Sequence, residues 1–405
     1  MNYEEIGKYL AGLRKLHKIT QDELANKLGV SRQAVSKWET GSSLPDIEIF
    51  MKMSQLYGVT VNDIVNADHS KINSGNHISL PGKIKSSNRI FVIGCGRWGT
   101  FLAWYLDKIG HDISLYGREE SIHMKQLQQE RKNEYVYLSE NIHLTSDLSK
   151  AKEADIILIS IGAQGLYQLC IDLNNVGVTS KKIVLCMKGI EISTGRRLSQ
   201  IADDELDFSN KVAVWLGPGH VQEFVRGVPN CMVIDSKDEF LKDELIRTFS
   251  SELIRFYYGI DLVGNEIGAA AKNVIGIAAG MLDGLDLGTL KGALMARGTR
   301  EIAKLIVALG GKDNSIYGLC HLGDYEATVF SKHSQNRMFG ERVVLGKSYD
   351  KLCEGFYTVK ALRNLGKNYG VELPICEAVY QILYCQKHPS TILDMLLSRS
   401  LKNEF

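Results

Sequence analysis

Proline is scarce in this chain of 405 residues, with 6 prolines against 38 glycines, and hydrophobic residues make up 44%. Disorder as the main state is therefore disfavoured, because the chain carries enough apolar surface to build cores. An excess charge is missing too. Lys+Arg number 48 and Asp+Glu 47, for a net charge of +1, so no chain-wide field attracts a nucleic-acid backbone or anionic lipid. Any contact with nucleic acid must come from a local surface. Long apolar runs are absent: stretches such as Val274 to Leu282 fall well short of the roughly 20 residues that cross a bilayer, and residues 1–10 hold two glutamates and no apolar signal core. This predicts a soluble, cytoplasmic protein without a membrane span. Eight cysteines (Cys95, Cys170, Cys186, Cys231, Cys320, Cys353, Cys376, Cys385) form no Cys-x-x-Cys pair, so neither a metal site nor a disulfide framework is spelled out. They are expected to be reduced and mostly buried.

At roughly 100–200 residues per domain the length suggests two or three domains. Residues 1–66 read as short helices over Tyr3 to Leu16, Gln21 to Leu28, Ser31 to Glu39, Asp46 to Tyr57 and Val61 to Asn66. Thr20 and Glu23 spell a capping box, Gly29 a helix stop, and Ser31 the next cap. Residues 67–88 are polar, rich in Ser, Asn and Gly, and without periodicity, as a flexible linker would be. From Arg89 to about residue 260, short β-branched runs (IFVIG, ISLYG, DIILIS, KIVLCM, KVAVWLG, CMVID) alternate with helical stretches, the signature of a parallel sheet with crossover helices. From 261 to 405 long amphipathic stretches replace the strands. The expected fold is multidomain: an all-α domain, an α/β Rossmann-like domain, then an all-α domain.

In the N-terminal module Gln21 to Leu28, Gly29-Val30 and Ser31 to Glu39 supply two helices joined by a glycine turn, the parts of a helix-turn-helix. Val30, Ala34, Val35 and Trp38 are spaced to face the core, which leaves Arg32, Gln33, Ser36 and Lys37 outward. Arg and Gln side chains suit bidentate contacts with base edges, whereas Ser31, Lys37 and Gln21 are placed for phosphates. Residues 4–66, including the run SRQAVSKWE, resemble the lambda-repressor-like (Cro/XRE) helix-turn-helix family. The resemblance implies DNA binding, although eight Lys/Arg oppose eight Asp/Glu in residues 1–66. A dimerisation or protein-interaction bundle is the alternative for this module.

RIFVIGCGRWGT at 89–100 sets Gly94, Gly96 and Gly99 as G-x-G-x-x-G after a strand and at the opening of a helix. The first glycine allows the tight turn, the second lets the backbone approach a pyrophosphate, and the third packs helix on strand, with the phosphates at the helix N-terminus. The second strand ends in Tyr116-Gly117-Arg118, not in an acidic residue. Arg118 can pair with the 2′-phosphate of NADP, whereas Glu119-Glu120, which follow at once, can contact a ribose or cap the next helix; NADP or dual use is favoured over strict NAD use.

In Gly264 to Gly284 a single lysine, Lys272, followed by Asn273, sits among small and apolar residues that leave it little solvated face. A lysine so placed can serve as the proton donor that ketone reduction requires. The blocks GCGRWGT, MKGIE (187–191), LGPGHVQEF (216–224), AAAKNVIGIAAGMLDG (269–284), LGD (322–324) and EGF (354–356) are similar to those of bacterial NAD(P)-dependent glycerol-3-phosphate dehydrogenases, over residues 89 to about 396. The resemblance implies a phosphorylated substrate, dihydroxyacetone phosphate or sn-glycerol 3-phosphate, and Lys272 as general acid and base at its C2 oxygen. It implies Lys188, Gly217, Gly219, Asn273, Asp324, Thr328, Ser334 and Asn336 around the substrate. Gly94, Gly96, Arg97, Trp98, Gly99, Arg118, Lys188, Val221 and Glu354 would bind the cofactor.

Two departures stand out. Where the family has Ser-Arg-Asn after the LGD aspartate this chain reads Ser334-Gln335-Asn336, and Gly219 stands where a Ser or Thr is usual. Arg337 and Lys332 are the nearby candidates for a substitute cation. The leading expectation is a dehydrogenase tethered to a DNA-binding module, working as a homodimer, as paired half-sites would favour. The alternative is a transcription regulator that uses a dehydrogenase-like domain to sense cofactor or metabolite.

Overall fold

The computed structural model describes residues 3–16, 19–57, 64–65, 67, 87–351 and 353–398. Two compact units divide the chain, Met1–Gly82 and Lys83–Phe405. Most of the expected linker over 67–88, and most of the helix expected over Val61 to Asn66, lie outside the described residues.

The first unit holds α1 (Tyr3–Leu16), α2 (Gln21–Leu28), α3 (Arg32–Glu39) and α4 (Ile47–Tyr57). Their boundaries follow from local chemistry. Thr20 Oγ1 accepts the Glu23 N–H while Glu23 accepts the Thr20 N–H, and Gly29 closes α2 at φ 71°. Ser31 is the cap of α3 and lies outside its first turn, its Oγ accepting the Ala34 N–H. Asp46 likewise accepts the Ile49 N–H at the head of α4. Ile6, Leu10, Leu24, Val35, Trp38 and Phe50 form the core. Arg14 grips Glu39 with two nitrogens, at 2.5 and 2.9 Å, and ties α1 to the end of α3.

In the second unit an eight-stranded sheet is built from β1 (Arg89–Ile93), β2 (Asp112–Tyr116), β3 (His143–Thr145), β4 (Ile156–Ile159), β5 (Lys182–Leu185), β6 (Lys211–Leu216), β7 (Asn230–Asp235) and β8 (Ile254–Tyr258), in the order β3-β2-β1-β4-β5-β6-β7-β8. The connecting helices are α5 (Arg97–Lys108), α6 (Ile122–Glu130), α7 (Leu166–Asn175), α8 (Leu198–Glu205), α9 (Val221–Val225) and α10 (Glu239–Phe249). Alternation along β1 sends Ile90 and Val92 to one apolar layer and Phe91 and Ile93 to the other. One expectation is corrected: the sheet is not wholly parallel, because β7 runs antiparallel to β6. Between them stands only the five-residue α9, too short for the crossover that a parallel return needs.

The helical part comprises α11 (Leu262–Gly284), α12 (Lys291–Ala308), α13 (Gln335–Val344), α14 (Glu354–Asn368), α15 (Pro374–Cys385) and α16 (Pro389–Leu397). Helix α11 is buried along nearly its whole length, which explains its run of Ala and Gly. A Cβ at Gly280 would lie 1.8 Å from the Arg337 carbonyl oxygen, and one at Gly340 would lie 2.0 Å from that of Ile277. These glycines let α13 lie directly on α11. Among the described residues no helix is long and apolar enough to cross a membrane, and no group of His, Cys, Asp and Glu is placed to hold a metal ion. Of the cysteines, Cys385 is exposed, Cys231 half-buried and the others buried.

The double bond pattern at Thr20 makes the start of α2 a sensitive point. Thr20→Ala should destabilise the first unit by about 1 kcal/mol, read as a shift in the urea midpoint of its helical signal with the second unit's transition unmoved.

Candidate active site and nucleic-acid interface

The carboxyl ends of β1, β2, β4, β5 and β6 open into one cleft of about 1660 Å³, above the roughly 300–1,000 Å³ of a single-ligand pocket. It lies at the reversal of strand order between β1 and β4, where open α/β sheets bind ligands. Gly94 turns at φ 111°, and a Cβ there would lie 2.2 Å from the Ser160 carbonyl oxygen; one on Gly99 would lie 1.8 Å from the Gly94 oxygen. A Cβ on Gly96 would meet nothing within 4 Å. The glycine loop therefore leaves an open approach to the N-terminus of α5, a cradle that fits a dinucleotide diphosphate.

Across the cleft, Asp324 is 1% exposed and its Oδ2 accepts from two cations: Lys272 Nζ on α11 at 2.6 Å and Lys188 Nζ after β5 at 2.8 Å. Lys188 also donates to the Gly217 carbonyl at 2.6 Å, and Lys272 to Thr328 Oγ1 at 2.8 Å. Thr328 is carried on a π-turn over Glu326–Phe330, a distortion common at functional sites. Burial, the largest influence, and the Lys188 cation bring Lys272 down to about 8, against Asp324, which holds it up. Asn336 at the head of α13 donates to Asn273 Oδ1 at 3.0 Å and accepts the Gly355 N–H at 3.0 Å. Glu354 accepts the Ala163 N–H at 3.3 Å, and burial raises its carboxyl above the usual range.

Lys188, Gly217, Gly219, Lys272, Asn273, Asp324, Thr328, Ser334 and Asn336 all line this cleft, as do Gly94, Gly96, Arg97, Trp98, Arg118 and Glu354. Two expected cofactor residues do not. Gly99 packs against the glycine turn, and Val221 is fully buried in the sheet's core. Arg118 is exposed and paired with Glu120 at 3.3 Å. The two substitute cations are also displaced: Arg337 faces Asp283 and Glu341, at 3.1 and 2.9 Å, and neither it nor exposed Lys332 lines the cleft. Gly219, at φ 144°, is boxed in by the Phe224 ring, which a Cβ would approach to 2.3 Å. A serine or threonine side chain therefore has no room at this position beside the Phe224 ring. His220, His333 and Tyr135 also line the cleft, and Tyr349 donates to the cleft residue Gln335. His220 stood inside a quoted block, whereas nothing in the spacing singled out the other three.

In the first unit Arg32, Gln33 and Lys37 are exposed on α3 and Ser36 is half-buried. Ser31 Oγ is occupied as a cap, and Gln21 Nε2 donates to Glu39 at 2.8 Å. Arg32, Gln33 and Lys37 thus form an exposed surface of α3, while Ser31 and Gln21 are tied into hydrogen bonds at the ends of α3.

Residues 89–241 match the family described as NAD-dependent glycerol-3-phosphate dehydrogenase N-terminus, residues 261–394 its C-terminus, and residues 10–64 a helix-turn-helix family. A glycerol-3-phosphate dehydrogenase [NAD(P)+] of Salinibacter ruber is 35% identical over 331 residues, covering 78% of this chain and 96% of its own. That of Clostridium botulinum is 34% identical over 330 residues, covering 78% and 99%. Among solved structures, the glycerol-3-phosphate dehydrogenase of Coxiella burnetii aligns with a TM-score of 0.72 at 28% identity, over 77% of this chain and 99% of that one.

Open space at Gly96 separates binding from folding. Gly96→Ala should leave the melting temperature within about 2 °C, since a Cβ there meets no protein atom within 4 Å, yet weaken NADH binding at least tenfold by filling the cradle. Energy transfer from tryptophan to bound NADH measures the latter.

Proposed function

The chain belongs to the NAD(P)-dependent glycerol-3-phosphate dehydrogenase family, and from that premise we propose that its second unit interconverts dihydroxyacetone phosphate and sn-glycerol 3-phosphate with NADP or NAD, in the cytoplasm, for glycerophospholipid precursor supply. The observation that carries this reading is the buried Asp324 carboxylate shared by Lys272 and Lys188 in the same cleft as the glycine cradle.

Held on the Gly94–Gly99 loop, a dinucleotide would supply the hydride for the ketone carbon, C2. Lys272 holds the proton for the C2 oxygen: near pH 7 a group titrating at about 8 is mostly an ammonium, yet it gives its proton up readily to a developing alkoxide. Asp324 and Thr328 fix its direction. Lys188, anchored to Gly217 and Asp324, brings a second positive charge to stabilise the oxyanion. The Asn273–Asn336 pair offers amide groups to the substrate's hydroxyls, and half-buried Glu354, which lines the cleft beside Ala163, would help to hold the cofactor. Retention of the whole Lys272, Asp324, Lys188 and Thr328 arrangement favours turnover over a purely sensory domain.

Because reduction needs Lys272 protonated and oxidation needs it neutral, kcat/KM for dihydroxyacetone phosphate should fall as pH rises through about 8, and that for glycerol 3-phosphate should rise over the same range. Lys272→Met should lower kcat roughly 10²- to 10⁴-fold in both directions and abolish the inflection. A wild-type chain inert towards dihydroxyacetone phosphate with both NADPH and NADH would refute the proposal.

We further propose that the first unit reads DNA through α3, the protein acting as a dimer on paired half-sites. Arg32→Ala or Gln33→Ala should cost about 1–3 kcal/mol on the preferred site and relax base preference there. Electrophoretic mobility shifts over randomised duplexes measure this, and equal loss on all sequences would count against base readout.

A further inference from the structure

Both the substrate and the cofactor of the proposed reaction bring phosphate groups, and most cations of the cleft are already committed. Lys272 and Lys188 are held by Asp324. Arg118 is paired with Glu120, and Lys132 lies 3.8 Å from Glu130. Lys351 is exposed at the rim. At position 335 stands a neutral glutamine, whose Oε1 accepts the Tyr349 hydroxyl at 2.5 Å.

Arg97 is different. It occupies the first turn of the twelve-residue α5, next to the glycine cradle, is half-buried and lines the cleft. Its guanidinium lies 5.4 Å from the centre of the Tyr135 ring, which orients the fork without neutralising its charge. No carboxylate pairs with it among the described residues. His220, which lines the same cleft and meets the His333 ring edge-on at 5.8 Å, is 6% exposed, and among the described residues its buried Nε2 has no hydrogen-bond partner. An orphaned ring nitrogen of this kind calls for a ligand. The two groups are neighbours electrostatically: after burial, the Arg97 charge is the next influence bringing His220 down to about 4, and the same charge reaches Tyr349.

We infer that Arg97, together with the His220 imidazole, forms the phosphate-binding corner of the cleft, taking over the charge that Gln335 does not provide. The neutral ring, protonated at Nε2, donates one hydrogen bond, while the guanidinium donates two and balances the anion. A phosphate oxygen is the shared chemistry, from either the substrate's phosphate or the cofactor's diphosphate. This rests on the dehydrogenase reading for its substrate, and equilibrium binding tests it independently of turnover.

The full chain is compared with Arg97→Ala, His220→Ala and the double variant Arg97→Ala/Gln335→Arg, each checked for an unchanged melting temperature. NADH and NADPH affinities are read from nicotinamide fluorescence, glycerol 3-phosphate affinity from calorimetry, and KM from dihydroxyacetone phosphate beside unphosphorylated dihydroxyacetone. Arg97→Ala should weaken phosphate-ligand binding roughly 10- to 100-fold, and His220→Ala roughly 3- to 10-fold. The double variant should recover most of the loss. If the substrate's phosphate is the partner, KM rises for dihydroxyacetone phosphate and not for dihydroxyacetone, with cofactor affinity unchanged. If the diphosphate is the partner, both cofactors weaken and the two ketones respond alike. Changes below about twofold in every affinity of Arg97→Ala, or no recovery with arginine at 335, would overturn the assignment. A wild type that binds these ligands but reduces no ketone would refute the dehydrogenase reading while leaving the binding comparison decisive.

Discussion

One carboxylate organises the catalytic half of the molecule. Asp324 is almost fully buried and accepts from two ammonium groups, one arriving on α11 and the other from the loop after β5. A buried anion beside a single lysine would tend to hold that lysine protonated, whereas a second cation and the low-dielectric surroundings offset the attraction. The balance brings Lys272 down to about 8, where a proton can be given and taken back. Removing Asp324 would leave two like charges facing one another with no anion between them, so the lysines and the aspartate stand or fall as a unit.

The fold serves this arrangement by bringing together segments far apart in the chain. Close contact of α11 with α13, made possible by Gly280 and Gly340, sets Asn336 against Asn273. The π-turn that follows Asp324 swings Thr328 onto Lys272. At the far wall, buried Glu266 on α11 accepts hydrogen bonds from the Ser199 backbone and hydroxyl and an ion pair from Arg197, which anchors the catalytic helix to the sheet domain. The same economy governs the N-terminal unit, where Arg14 and Gln21 converge on Glu39 and brace the exposed face of α3 from behind.

Much was legible before any fold was known. The capping box at Thr20, the strand at Asp112–Tyr116, the glycine motif and the long small-residue helix around Lys272 all depend on neighbours within a few positions, and local chemistry fixes them. What escaped was non-local. The reversal of β7 depends on the length of the connection after β6 and on which edge is open to it. The direction of Arg337 is decided by Asp283, more than fifty positions upstream, so a cation adjacent in sequence to the cleft turned away from it. Val221 belongs to the quoted glycine block and yet is core, because its position on α9 aims it into the sheet.

By itself the sequence determined the order of the parts, the helix caps, the phosphate cradle and the presence of a lysine that solvent could not explain. These are properties of short segments, set by backbone sterics, hydrogen-bond reach and apolar periodicity. Only the tertiary structure decided that Asp324 is shared by Lys272 and Lys188, that Phe224 fills the space beside Gly219 and that Arg97 lines the cleft with no carboxylate of the described residues paired to it. Each of those depends on which side chains from distant segments meet in a buried volume, and burial is what turns a charge or an orphaned nitrogen into a demand for a partner.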